Sequence, residues 1–235
     1  MGAPAHTDRA GQCQSRTCRF GQGRFGASAV IGTSWTHRLA RIAVRPLVGT
    51  AVTPNHLTTL RLLTGLCACA ALLPGNTSWN WWAGWLWLLS AFLDRADGEL
   101  ARIGGACSDR GHRYDYLADM IVNIGFFVAL GFGLRHSSLG GYAIALGCWT
   151  GAALFICNTC VEILEGHGSA GVKTYPGAFG FDLDDLLYLL APIVWLGWCV
   201  PLLVTACCGM TFMMLFTALR LRRFVARRAA SEAAE

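Results

Sequence analysis

Long stretches without a charged residue constrain this chain more than any other feature. Leu62 to Leu93 carries no charge, and the turn-forming run Pro74-Gly75-Asn76-Thr77-Ser78 divides it in two. Leu117 to Leu134 is apolar apart from Asp119 and Asn123. Ser137 to Val161 is uncharged, and so is Leu186 to Leu219, where Pro201 offers a break between two helices. A helix needs about 20 mostly apolar residues to cross the hydrocarbon core of a bilayer. The spacing predicts six spans, at 56–73, 79–102, 111–134, 139–162, 183–199 and 202–222. Composition agrees. Hydrophobic residues make up 54% of the 235 residues and charged residues 14%, against about 25% charged in a soluble domain. That balance excludes disorder for most of the chain. A net charge of +5, carried by scattered basic residues, argues against nucleic acid as a partner. The predicted fold class is therefore an all-α integral membrane protein with six transmembrane helices.

Six spans place both termini on one side. Arg38, Arg41 and Arg45 precede the first span, and Arg95, Arg102, Arg110 and Arg113 surround the connection between the second and third. Arg220, Arg222, Arg223, Arg227 and Arg228 follow the sixth. The opposite side has only Arg135 and His136, so the basic side, with both termini, is predicted to be cytoplasmic. Residues 1–35 read as a disordered tail without the apolar stretch of a signal peptide. Residues 36–224 read as the membrane domain and 225–235 as a C-terminal tail. Thr36 to Val48 sets Leu39, Ile42 and Ala43 against Arg38, Arg41 and Arg45, the pattern of either an interfacial amphipathic helix or a solvated linker helix bounded by Pro46 and Pro54. Most of the 11 cysteines fall in apolar runs and read as packing residues, the Cys157/Cys160 C-x-x-C included.

The unusual segment is Asp94-Arg95-Ala96-Asp97-Gly98-Glu99-Leu100-Ala101-Arg102, followed by Gly111, Asp115 and Asp119. Carboxylates within a span are costly and mark an ion, proton or substrate site. On a helix, Asp94, Asp97, Gly98, Ala101 and Arg102 fall within about 140° of arc, while Gly111, Asp115 and Asp119 form an i, i+4, i+8 stripe. A short connection predicts that the two helices are antiparallel neighbours whose four carboxylates converge. Such a group repels itself unless cations sit within it. All-oxygen ligands suit Mg²⁺ or Mn²⁺, and four carboxylates suit two ions, an arrangement that favours displacement at phosphorus. Gly98, Ala101 and Gly111 leave either a slot for a substrate or a close helix contact. A cation transporter using the same acids as a pathway is the competing class, although the acids cluster near one membrane face.

The pattern D-x2-D-G-x2-A-R-x8-G-x3-D-x3-D, here Asp94, Asp97, Gly98, Ala101, Arg102, Gly111, Asp115 and Asp119, resembles the signature of the CDP-alcohol phosphotransferases with no departure. Thr53-Pro54-Asn55-His56-Leu57-Thr58 is similar to the start of that family's first helix, and six helices match its plan. The resemblance implies an enzyme that moves a phosphoryl-linked group from a CDP-activated donor to an alcohol, releasing CMP, as many members do in phospholipid synthesis. It implies a homodimer with a cytoplasm-facing site. It also implies that Asp94, Asp97, Asp115 and Asp119 surround two Mg²⁺ ions. Gly98, Ala101 and Gly111 would accommodate the cytidine, and Arg102 would pair with the carboxylates or the nucleotide. Asp119, the deepest of the acids in its span, would be the general base. The shared motif binds the CDP half, so both directions remain: CDP-diacylglycerol, the more frequent donor, with an alcohol acceptor, or a CDP-alcohol with a lipid hydroxyl.

Weaker signals surround this core. Asp182, Asp184 and Asp185 suit either a helix N-terminus or the acceptor side of the pocket. Lys173, in the polar loop from Glu165 to Phe179 with Tyr175, is either an acceptor-phosphate ligand or a solvated lysine. Arg110 and Arg113 either attract an anionic donor or anchor the helix at the membrane face. Arg220 to Glu235 reads as a helix end with a frayed tail.

Overall fold

The computed structural model describes residues 35–105, 108–167 and 186–232, and among these residues helices joined by short turns are the sole regular structure. Seven α-helices follow in order. They are α1 (Trp35–Val44), α2 (Pro54–Leu72), α3 (Thr77–Ile103), α4 (Asp109–Gly133), α5 (Tyr142–His167), α6 (Leu186–Trp195) and α7 (Cys199–Glu232), with short 3-10 turns at Arg45–Leu47 and Leu134–His136.

Local sequence explains most boundaries. Pro54 occupies the first position of α2, where its missing N–H costs nothing, and the Thr53 N–H donates to His56 Nδ1 at 3.3 Å. The Asn76 side chain accepts from the Trp79 N–H to start α3, and Ser108 does the same for α4 through the Gly111 N–H at 3.1 Å. Gly105, at φ 62°, ends the α3 side of the connection.

Three helices, within Arg110–His136, Tyr142–Leu164 and Cys199–Ala226, are long and apolar enough to cross a membrane, and Leu186–Trp195 is a shorter apolar helix. The α2 and α3 helices are long enough but carry charge, Arg61 in one and Asp94 to Arg102 in the other. The fifth expected span, 183–199, is shorter where it is described: α6 has 10 residues and residues 183–185 lie outside the described set. The break before α7 is at Leu196-Gly197-Trp198, not at Pro201. Gly197 adopts φ 73°, which a side chain disfavours, while Pro201 lies in the first turn of α7, where a helix tolerates proline. The α7 helix also runs on to Glu232, well past the frayed end expected after Arg220, because Ala, Arg and Leu are strong helix formers.

The α2 helix packs against both α3 and α4, α4 against α5, α5 against α7, α6 against α3, and α1 against α3. A continuous core includes Leu72, Trp87, Phe126 and Leu203. The Trp87 and Phe126 rings lie 4.3 Å apart by centroid, and the Trp87 indole N–H donates to the Leu187 carbonyl at 2.8 Å. All eight cysteines in the described residues are free thiols, Cys157 and Cys160 among them. Cys157 is buried beside the Thr217 hydroxyl at 3.7 Å, which suits a packing role.

The α4–α5 crossing depends on paired glycines. A Cβ on Gly147 would lie 2.5 Å from the Phe127 carbonyl oxygen, and one on Gly131 would lie 2.6 Å from that of Ala143. Because the obstacle is backbone, a side chain forces the helices apart. Gly147→Leu is expected to destabilise the detergent-solubilised protein by about 1–3 kcal/mol or more, read as a fall in unfolding temperature. Gly209→Leu, where nothing lies within 4 Å of the added Cβ, should leave that temperature unchanged. Equal behaviour of the two variants would contradict the crossing.

Candidate active site

The four aspartates come together, but not by the route the sequence suggested. The α3 and α4 helices do not run along one another as neighbours. Each packs on α2, and side chains span the gap between them, Trp87 against Phe126 in the core and the aspartates at the site. This arrangement leaves a cavity of about 230 Å³ whose wall includes Asp94, Asp97, Gly98 and Arg102 of α3 and Asp115 and Asp119 of α4.

A cation does sit among the acids, and it belongs to the chain. Arg61 of α2 is 3% exposed. Its Nη1 reaches Asp94 Oδ1 at 2.8 Å and Asp115 Oδ1 at 2.9 Å, and its Nη2 donates to Asp119 Oδ1. The sequence reading assigned no role to Arg61. An arginine within an otherwise apolar segment is expensive enough to have signalled one. One helical turn before it, the Thr58 hydroxyl donates to Asp97 Oδ2 at 2.7 Å. On α4, the Asn123 amide donates to Asp119 Oδ1 at 2.7 Å, and on α3 the Ser90 hydroxyl donates to the Arg61 carbonyl at 3.0 Å. Each carboxylate therefore has a fixed direction before any ligand arrives.

Oxygens of Asp94, Asp97 and Asp115 lie within 4.8 Å of one another. Three hard oxygen donors at that spacing fit a divalent cation such as Mg²⁺. Asp119 shares Arg61 with two of them and borders the same cavity. The Asp119 side chain is 42% exposed, whereas Asp97 is the buried one at 4%. Asp119 opens onto the cavity rather than packing into the apolar span.

The small residues divide. A Cβ on Gly98 would meet nothing within 4 Å, so Gly98 borders open space and is not a packing contact. A Cβ on Gly111 would lie 3.0 Å from Ser108 Oγ and 3.3 Å from Asn55 Oδ1, a snug polar surround at the start of α4. Ala101 is half-buried on the same helix as Gly98. Arg102 borders the cavity but pairs with Glu99, Nη1 to Oε1 at 2.6 Å, and not with the aspartates. Arg110 and Arg113 are exposed at the start of α4. Lys173, Tyr175, Asp182, Asp184 and Asp185 lie outside the described residues.

Removing Arg61 exposes the repulsion that it offsets. Breaking a buried ion pair by deleting one partner costs about 3–5 kcal/mol. Arg61→Met is therefore expected to lower the unfolding temperature in chelator by several degrees, and added Mg²⁺ should raise it more in the variant than in the parent. Equal unfolding temperatures in chelator would show that Arg61 does not neutralise the cluster.

The sequence model described as CDP-alcohol phosphatidyltransferase matches residues 51–175, more than half of the chain. A comparison with curated proteins returns no match. The matched stretch runs from the start of α2 through α5 and so contains Arg61 and all four aspartates. With the converging carboxylates, it decides between enzyme and cation pathway in favour of the enzyme. This chain belongs to the CDP-alcohol phosphatidyltransferase family, phosphotransferases that move a phosphate-linked group from a CDP-alcohol to an acceptor.

Proposed function

We propose that this chain transfers a phosphatidyl group from CDP-diacylglycerol to an alcohol, releasing CMP, within a six-span membrane domain whose site and termini face the cytoplasm. The observation that carries the proposal is the convergence of Asp94, Asp97, Asp115 and Asp119 on one cavity. Open space beside Gly98 supports a nucleotide approaching the α3 backbone there. Ala101, Arg102 and Gly111 complete the cytidine side. Two Mg²⁺ ions, bound by the four aspartates, would neutralise the diphosphate oxygens and ease departure of CMP.

The protein's own part is orientation and proton transfer. The acceptor hydroxyl oxygen attacks the phosphatidyl phosphorus. The new P–O bond forms as the bond to the bridging oxygen of the diphosphate breaks, and CMP leaves with that electron pair. The hydroxyl proton passes to Asp119. Among the described residues, both side-chain donors to Asp119, from Arg61 and Asn123, reach Oδ1. Oδ2 is thus the oxygen that takes the proton, and the two donors aim it.

The acid cluster lies toward one end of α3. The exposed Trp79, Trp81, Trp82 and Trp85 lie toward the other. Tryptophan favours the membrane–water interface, which supports α3 as a span with the site near the opposite face. The homodimer implied by the family is part of this proposal; the alternative to it is a soluble CDP-alcohol that donates to a lipid hydroxyl.

The test is CMP release by purified protein with Mg²⁺, CDP-diacylglycerol and a panel of alcohols, with a CDP-alcohol and diacylglycerol in a parallel arm. The expected outcome is release dependent on one alcohol of the panel and abolished by chelator. Asp119→Asn should reduce turnover by about 10²–10⁴-fold while CDP binding stays measurable. Asp94→Ala and Asp97→Ala should weaken both metal and donor binding. Full activity of Asp119→Asn would overturn the base assignment, and release of CMP in the parallel arm alone would reverse the direction.

A further inference from the structure

The cavity wall contains a second charged assembly, built where α1 docks on α3. Glu99 is 1% exposed and accepts from three side chains that lie on both helices. His37 Nδ1 reaches its Oε1 at 3.0 Å, Arg41 Nε its Oε2 at 3.0 Å, and Arg102 Nη1 its Oε1 at 2.6 Å. The other ring nitrogen of His37, Nε2, lies 3.0 Å from Arg95 Nη1. A guanidinium can only donate, so Nε2 accepts and the ring proton sits on Nδ1, directed at Glu99. His37 and Arg95 are 7% and 8% exposed, and both border the cavity that holds the aspartates. On α3, Arg95, Gly98 and Arg102 follow an i, i+3, i+7 stripe, and all three border it.

We propose that Arg95 is a phosphate-binding residue of this cavity and that His37 is a positioning residue, inserted by α1 to hold the Arg95 guanidinium in place. The inference rests on the CDP-donor reading above. A guanidinium is the side chain best matched to phosphate oxygens. Arg95 follows Asp94 directly and lies one turn before Gly98, the residue that borders open space. Arg41 and Arg102 hold the Glu99 carboxylate from two further sides, Glu99 fixes the His37 ring, and His37 fixes Arg95. The phosphate belongs either to the diphosphate of the donor or to a phosphorylated acceptor, and the chemistry of recognition is the same.

The test uses the full chain in detergent with Mg²⁺ and two probes, CDP for the donor side and inorganic phosphate for the acceptor side, each titrated by calorimetry. Arg95→Ala is expected to weaken one probe about tenfold or more. Loss of CDP affinity identifies the donor diphosphate, and loss of phosphate affinity with CDP intact identifies the acceptor. His37→Ala should weaken the same probe. His37→Gln should recover it, because an amide can donate to Glu99 and accept from Arg95 at once. Arg95→Lys keeps the charge without the planar fork and should fall between parent and alanine variant. Unfolding temperatures recorded in parallel separate these effects from loss of the fold. Arg95→Ala and His37→Ala within twofold of the parent for both probes would overturn the proposal, as would a His37→Gln no better than His37→Ala. If the parent itself fails to bind CDP, the donor reading falls and takes this inference with it. A parent that binds CDP beside variants that do so equally well removes the inference alone.

Discussion

Four carboxylates cannot share a cavity in an apolar helix bundle unless positive charge is brought to them, and Arg61 brings it. One guanidinium bridges Asp94 on α3 with Asp115 and Asp119 on α4. It comes from α2, the helix that packs on both. The cavity therefore exists because α2, rather than direct α3–α4 packing, holds the two acid-bearing helices in register. A cation bound among the aspartates would meet carboxylates already aimed by Arg61, Thr58 and Asn123. That preorganisation spares reorientation when a charged substrate arrives.

A second compensation lies one turn further along α3. Glu99 is among the most buried of the described side chains, and three donors from α1 and α3 surround it. The α1 helix is thereby tied to the site by charge, while its exposed Leu39 and Ile42 face outward. An amphipathic helix at a membrane surface presents such a face to the lipid boundary. His37 of this helix borders the cavity, so α1 contributes to the cavity wall.

The signature aspartates were legible because their chemistry is local. Spacings of three and four residues put Asp94 with Asp97 and Asp115 with Asp119 on single faces, whatever lies around them. Gly98 was legible only as small, with a slot and a close contact equally compatible with its size; the open space beside it favours the slot. Arg102, expected to meet the carboxylates or the nucleotide, borders the cavity and pairs with Glu99 three residues before it. Arg61, Thr58, His37 and Asn123 were not found, because each acts on a partner by a route that carried no motif of its own. That Asp119 opens onto a cavity follows from the packing around α4 and not from its place along the sequence.

The sequence by itself determined that the chain is helical, that its apolar runs suit a bilayer, and that its acids form two stripes at helical spacing. Hydrophobic periodicity and helix geometry act over a few residues, so they are written in the local order of side chains. Tertiary structure alone decided that α2 packs on both α3 and α4, that the break before α7 falls at Gly197, and that Arg61 and His37 complete the site. Those outcomes join residues 58 and 62 positions apart. They depend on burying charge only where an opposite charge can reach it, which is a property of the packed bundle and of no single segment.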